Sequence, residues 1–186
     1  DEVPAGEARM LRAVLPKGMD GKPVAIEEPE IPLLDTTLLT NAPTEPSLSR
    51  AIISEIASAD RIDAIIAFIR FSGIRPLLDA LEAHTSAGRP LRILTTTFTN
   101  STQPEALEAL ARIGAQIRVS YDTGSSRLHA KSWLFDRTSG ASTGYVGSSN
   151  LSHAGQVVGQ EWNVRLSARR NPAAMRKLAA AFEGAW

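Results

Sequence analysis

The chain has 186 residues, 43% of them hydrophobic and none of them cysteine, and its twenty Lys and Arg balance its twenty Asp and Glu. That length and apolar content suit one domain with its own core, and the absence of thiols excludes disulfide frameworks and thiolate metal sites, as expected of a protein of the reducing cytoplasm. No run approaches the roughly eighteen consecutive apolar residues of a membrane span, and the opening "DEVPAGEARM" is acidic rather than basic then apolar.

Residues 1–60 carry five Lys and Arg against eleven Asp and Glu, whereas residues 61–186 carry fifteen against nine. The later part therefore permits a polyanionic partner without requiring one. Residues 1–43 hold six of the eleven prolines and the acidic "EEPE"; they are expected to form an extended arm, of no assigned role, around the apolar segment "IPLLDTTLL". A single compact domain is expected over 44–186. It begins with "TEPSLSRAIISEIASA", which supplies a capping residue, a proline in the first turn and apolar residues at 48, 52, 53 and 56, the spacing of an amphipathic helix.

"RIDAIIAFI" reads as a mostly buried strand, "IRPLLDALEAHTSAG" as a helix ended by Gly88, and "LRILTTTF" as a second strand rich in β-branched residues. "QPEALEALARIG" gives a helix between Pro104 and Gly114, followed by the strand "AQIRVSY". Such β-α-β-α-β alternation predicts neighbouring parallel strands joined by right-handed crossovers, hence an α/β core. Beyond Tyr121, "LHAKSWLFD", "GYVGS" and "EWNVRLS" are strand-like but their connections are too short for crossover helices, so antiparallel additions are expected. "NPAAMRKLAAAFEGAW" closes the chain as a helix with Asn171 as its cap and Pro172 at its first position.

The chemistry-bearing pattern is "SRLHAKSWLFDRTSGASTGYVGSSNLS", residues 126–152. Strand alternation puts His129 and Lys131 on one face, followed there by Trp133 and Phe135, so a polar edge leads into an aromatic core. An imidazole and an ammonium so placed can both reach one phosphate. Asp136 falls on the opposite face and is expected to serve a structural role, bonding to the turn at Arg137–Gly144. His84 lies in a predicted helix and His153 follows the turn; neither has a lysine two residues on.

His129-x-Lys131-x4-Asp136 followed by Gly147, Ser148 and Asn150 resembles the HKD motif of the phospholipase D superfamily. More narrowly, "FIRFSG", "LTTTF", "VSYDT", "RLHAKSWLF", "TGYVGSSNLS" and "QEWNV" are similar to the phospholipase D-like nuclease domain found N-terminal to the motor of some bacterial DEAD/DEAH-box helicases. The resemblance implies a mixed sheet sandwiched between helix layers and a two-step phosphodiester exchange that uses no metal or other cofactor. On this sequence His129 would be the nucleophile, while Lys131 and Asn150 would hold the non-bridging oxygens with Ser148 in support. Glu161 in "QEWNV" matches a downstream acidic position of the small bacterial nucleases and would orient the His129 ring. Arg70, Ser72 and Gly73 follow a strand; Arg70 and Ser149 are weaker substrate-binding candidates, and Gly147 is a structural member of the motif.

The mechanism needs two His-x-Lys sets and this chain has one, so a homodimer with a composite site is expected. The leading expectation is a DNA phosphodiesterase forming part of a larger helicase-type protein, whose motor lies outside this sequence because no G-x-x-x-x-G-K-[ST] loop occurs in it. A nucleic-acid-binding module with a site too slow to matter is the alternative, supported by the long turn before Gly147. Lipid phosphatidyl transfer ranks last, since no basic amphipathic helix marks a membrane surface. Metal-assisted hydrolysis lacks a His-Glu-x-x-His spacing.

Overall fold

Alternating and continuous apolar runs fold into a sheet here, and longer apolar stripes of helical period cover it. The computed structural model describes residues 19–22, 30–42, 45–122, 124, 127–152 and 161–186. In chain order the elements are β1 (Thr37–Leu39), α1 (Leu48–Ser58), β2 (Arg61–Ile66), α2 (Phe71–Ile74), a 3-10 turn at Arg75–Leu77, α3 (Leu78–Ser86) and β3 (Leu91–Thr96). A second 3-10 turn at Phe98–Asn100 leads to α4 (Pro104–Arg112), β4 (Gln116–Ser120), β5 (Lys131–Asp136), β6 (Thr143–Gly147), β7 (Asn163–Ser167) and α5 (Pro172–Ala185).

The seven strands form one mixed sheet in the order β1-β7-β6-β5-β2-β3-β4. The predicted alternation is present: β2 pairs parallel with β3, and β3 with β4, through helical crossovers that end at Gly88 and Gly114, both with positive φ. The predicted antiparallel additions are present too, β5 lying against β2, β6 against β5 and β7 against β6. Isoleucines and leucines of β2 and β3 pack with α1, α3 and α4 to form the main core. On the other face Phe182 of α5 covers Ile65 and Leu94.

Three local expectations are corrected. Helix α1 starts at Leu48, and its cap is Ser47, whose hydroxyl accepts from Arg50 N, so Pro46 precedes the helix instead of lying in its first turn. Asn171 occupies the cap position of α5 without capping it, because its Oδ1 accepts from the Thr36 hydroxyl. Residues 37–39 of the proline-rich arm enter the sheet as β1, antiparallel to β7, and bury Leu39 in the core.

Opposite the sheet end that carries His129, a buried ionic cluster ties distant segments together. The carboxylate of Glu55 accepts from Arg137 Nη2 at 2.6 Å, Arg165 Nε at 2.7 Å, Thr143 Oγ1 at 2.7 Å and Tyr145 Oη at 3.2 Å. Arg165 in turn donates to the carbonyls of Pro32 and Asp35. Burial and the Glu55 charge push the Tyr145 hydroxyl above its ordinary range, so it stays a neutral donor.

Candidate active site

Strand β5 begins at Lys131, with His129 two residues before it. The strand is the seam between the two halves of the sheet: its first residues lie beside the C-terminal end of β2, Lys131 opposite Ile66. Lys131 is 8% exposed, and its Nζ lies 3.3 Å from His129 Nδ1, 3.2 Å from His129 Nε2 and 2.9 Å from the His129 carbonyl, to which it donates. Burial lowers the lysine's pKa below its ordinary value, and the negative charge of Glu161 acts in the opposite direction. The imidazole itself is exposed to solvent.

Phe68, just past β2, was not singled out by sequence reasoning. Its ring meets the His129 imidazole edge to face, 5.7 Å between centroids, and lies 5.9 Å from Lys131 Nζ. Its amide donates to Asn150 Oδ1 at 3.1 Å. One residue thus touches both ends of the motif; the sequence reading runs the strand "RIDAIIAFI" through Phe68, whereas β2 ends at Ile66 and frees Phe68 to reach the turn.

The Gly147–Asn150 turn reaches the site because of strand register. Ser132 pairs with Val146 across β5 and β6, and continuing that register sets Gly147 beside Lys131. The long Arg137–Gly144 turn closes the far end of the same hairpin, so its extra residues leave the motif's spacing at the site unchanged. Asp136 lies at that far end, accepting from the Ser142 hydroxyl at 2.8 Å and facing Arg61 at 3.5 Å.

Glycine is required at two positions around the turn. A Cβ on Gly147 would come within 2.3 Å of Asn163 Oδ1 and of the Trp162 carbonyl. A Cβ on Gly73 would lie 2.1 Å from the Leu151 carbonyl carbon, so α2 can rest on the turn only without a side chain there. Arg70 N donates to the Leu151 carbonyl in the same contact, while the Arg70 side chain is exposed. Ser149 is buried and accepts from Asn163 Nδ2 at 2.8 Å, which makes it a brace for the turn. The Ser148 hydroxyl donates to the Glu161 carboxylate and accepts from Trp162 N. Glu161 therefore joins the site through Ser148, and the hydrogen-bonding partner of the His129 ring is Lys131.

His84 is buried with Nε2 3.1 Å from the Pro90 carbonyl, away from this end of the sheet; His153 lies outside the described residues. A cleft of about 440 Å³ lined by Glu82, Arg89 and Arg112 sits at the opposite ends of β3 and β4 and touches none of the motif residues. Among the described residues no three His, Asp or Glu side chains are grouped so as to hold a metal ion, and no helix is long and apolar enough to cross a membrane. What the arrangement offers is an exposed imidazole beside a buried ammonium, with the Asn150 amide tied to the backbone of Phe68, whose ring touches both; such groups suit an anion with tetrahedral oxygens.

Residues 52–186 match the family described as "Cardiolipin synthase, PLD-like domain". No curated protein matches the sequence. Among solved structures the chain is similar to Nuc of Salmonella typhimurium, a phospholipase D family member, with a TM-score of 0.60 and 20% identity over 82% of this chain and 95% of that one. NucT from Helicobacter pylori gives a TM-score of 0.59 at 14% identity over 81% and 96% of the two chains. Polyphosphate kinase from Porphyromonas gingivalis gives 0.57 at 13% identity, over 81% of this chain but 26% of its own.

Proposed function

The chain belongs to the PLD-like domain family, and from that premise we propose that it is a metal-independent phosphodiesterase that cleaves DNA through a phosphohistidine. The observation that carries the proposal is Lys131 Nζ held 3.2 Å from His129 Nε2 at the start of the central strand β5, beside the turn that bears Ser148 and Asn150. A ring nitrogen of His129 attacks phosphorus and forms an N–P bond. The P–O bond to the leaving oxygen breaks, and that oxygen takes a proton from the protonated His129 ring of a second copy. Water then attacks phosphorus, gives its proton to the second ring, and breaks the N–P bond to release a phosphomonoester.

Lys131 supplies fixed positive charge to the non-bridging oxygens while negative charge accumulates on them. Asn150 has its Oδ1 tied to Phe68 N, so its Nδ2 is the end it offers to the phosphate. Ser148 and Glu161 form a short relay at the same end of the sheet, with Glu161 also countering the charge of Lys131. The requirement for a second imidazole makes the active species a homodimer with one composite site. The sequence likeness to helicase-associated nuclease domains supports a role beside an ATP-driven motor in the cytoplasm. The alternative, a binding module for nucleic acid, loses its main support because the long turn closes the other end of the hairpin.

The test is cleavage of DNA by the purified protein in EDTA, with rapid quenching to trap labelled phosphate on protein. Turnover and label are both expected in the parent and absent in His129→Ala. DNA binding without any turnover in the parent would favour the binding module.

A further inference from the structure

The guanidinium groups that lie within the fold are matched to carboxylates, Arg92 to Asp63 and Glu183, and Arg137 and Arg165 to Glu55. Arg127 is held in another way. Its side chain is exposed, and its guanidinium carbon lies 4.8 Å from the centroid of the Phe98 ring. Among the described residues no carboxylate pairs with it. An aromatic face steadies a guanidinium without accepting its N–H groups in line, so the planar fork remains able to donate. The segment that carries it is anchored as well: Arg127 N donates to the Gly124 carbonyl at 3.3 Å, and Leu128 packs against the cluster of Ile65, Leu94 and Phe182.

Arg127 stands two residues before His129, so the chain itself keeps their Cα atoms within about 7 Å of each other. From there the side chains diverge. The His129 ring rests against Phe68, past the end of β2, whereas the guanidinium rests on Phe98, past the end of β3. These strands are parallel neighbours with Ile65 opposite Leu94, so both rings stand at one end of the sheet, offset by on the order of one strand spacing, about 4.8 Å. In the order β6-β5-β2-β3, the turn with Ser148 and Asn150 follows β6 on one side of His129, and Arg127 on Phe98 lies on the other. An anion chain with one phosphate at His129 and Lys131 that runs toward β3 brings its next phosphate to Arg127.

We propose that Arg127, steadied on Phe98, binds the phosphate adjoining the one attacked, so that a polynucleotide is gripped at two successive phosphates. This rests on the phosphodiesterase reading above and adds a binding residue to it. A guanidinium matches two phosphate oxygens at once, and the ring beneath it fixes the direction in which the fork is offered. A substrate with a single phosphate gains nothing from Arg127, whereas a nucleic-acid backbone presents a phosphate at every step. The contact sets which bond of the backbone meets His129 and carries no information about base sequence.

The experiment measures binding of a DNA oligonucleotide against salt concentration in a His129→Ala background, where no turnover interferes. To that background Arg127→Gln, Arg127→Lys or Arg112→Gln is added, the last being a control for net charge at the opposite end of the sheet. Arg127→Gln is expected to weaken binding about tenfold at low salt and to make the slope of log K against log salt shallower by about 0.7 to 0.9, the share of one phosphate. Arg127→Lys should keep the slope with part of the affinity, and Arg112→Gln should change neither. With His129 in place, cleavage of the same DNA and of a small diester, methyl nitrophenyl phosphate, is compared: Arg127→Gln should raise KM for DNA more than it lowers kcat, and lose severalfold more on DNA than on the small diester. An unchanged salt slope in Arg127→Gln, a slope lost equally in Arg127→Lys, or no DNA binding by the His129→Ala protein would overturn the proposal. Equal losses on the two substrates would also overturn it, by placing Arg127 on the attacked phosphate. Failure of the parent to hydrolyse either substrate would instead remove the phosphodiesterase reading, while the salt slopes would still decide whether Arg127 holds a phosphate.

Discussion

In the proposed reaction Lys131 must be charged to hold a phosphate, and its burial works against that charge. In the folded protein the lysine's pKa is lowered, so the ammonium is lost at a pH below the ordinary lysine range. The alkaline limb of the kcat/KM profile should therefore fall in that lower window, where Lys131 deprotonates in the free enzyme. Lys131→Arg should move the limb to higher pH while lowering the plateau, because a guanidinium stays protonated but cannot take the place of a point charge 3.2 Å from the ring. An unchanged alkaline limb in the Lys131→Arg profile would assign that limb to another group. The same depressed pKa contributes to stability with a definite sign: the unfolded chain binds the proton more tightly, so stability should rise with pH between the folded and unfolded lysine values.

At the scale of elements, the packing of α2 on the motif turn predicts the effect of Gly73→Ala. A methyl 2.1 Å from the Leu151 carbonyl carbon forces the helix and turn apart; a loss of about 1–3 kcal/mol is expected in denaturant unfolding. Activity per folded molecule should fall as well, because Asn150 is one residue from the displaced backbone. Glu55→Gln should act differently. It leaves the Arg137 and Arg165 guanidinium groups buried without their counter-charge, at a cost of about 3–5 kcal/mol, yet the surviving folded fraction should cleave normally because the cluster lies at the far end of β5 and β6. Parallel unfolding curves and activity titrations of the two variants separate these outcomes.

Those two sites also mark where the sequence ceased to be legible. Parallel and antiparallel halves followed from apolar periodicity and connection length, and the His129-x-Lys131 pair stood out because two residues of a strand share a face. Glu55, by contrast, sits in an amphipathic helix as any solvent-facing acid would, and nothing local shows that residues 137 and 165 return to meet it. Gly73 reads as an ordinary β-to-α turn until the Leu151 backbone is seen against it. Phe68 reads as one more apolar residue of the strand "RIDAIIAFI", and Glu161 pairs with Ser148 only because β6 and β7 come together. Such contacts join positions far apart in sequence, and periodicity carries no information about them.

For the whole molecule, a composite site has an arithmetic consequence. If both His129 rings are needed, parent protein mixed with an equal amount of His129→Ala and allowed to exchange subunits should retain about a quarter of its specific activity, because only parent–parent dimers work. Retention of half would mean that each chain acts alone. The measurement is a titration of activity against mutant fraction, with exchange verified by differently tagged chains.

The pairing of β1 with β7 also fixes a timetable for the molecule's birth. Pro32, whose carbonyl Arg165 secures, is made 133 residues before that arginine. At about 5–20 residues per second the delay is roughly 7 to 27 s. During that interval the first strand has no neighbour to hydrogen-bond with, so a nascent chain stalled before residue 163 should hold residues 30–42 open to proteolysis, and release of the completed polypeptide should close them.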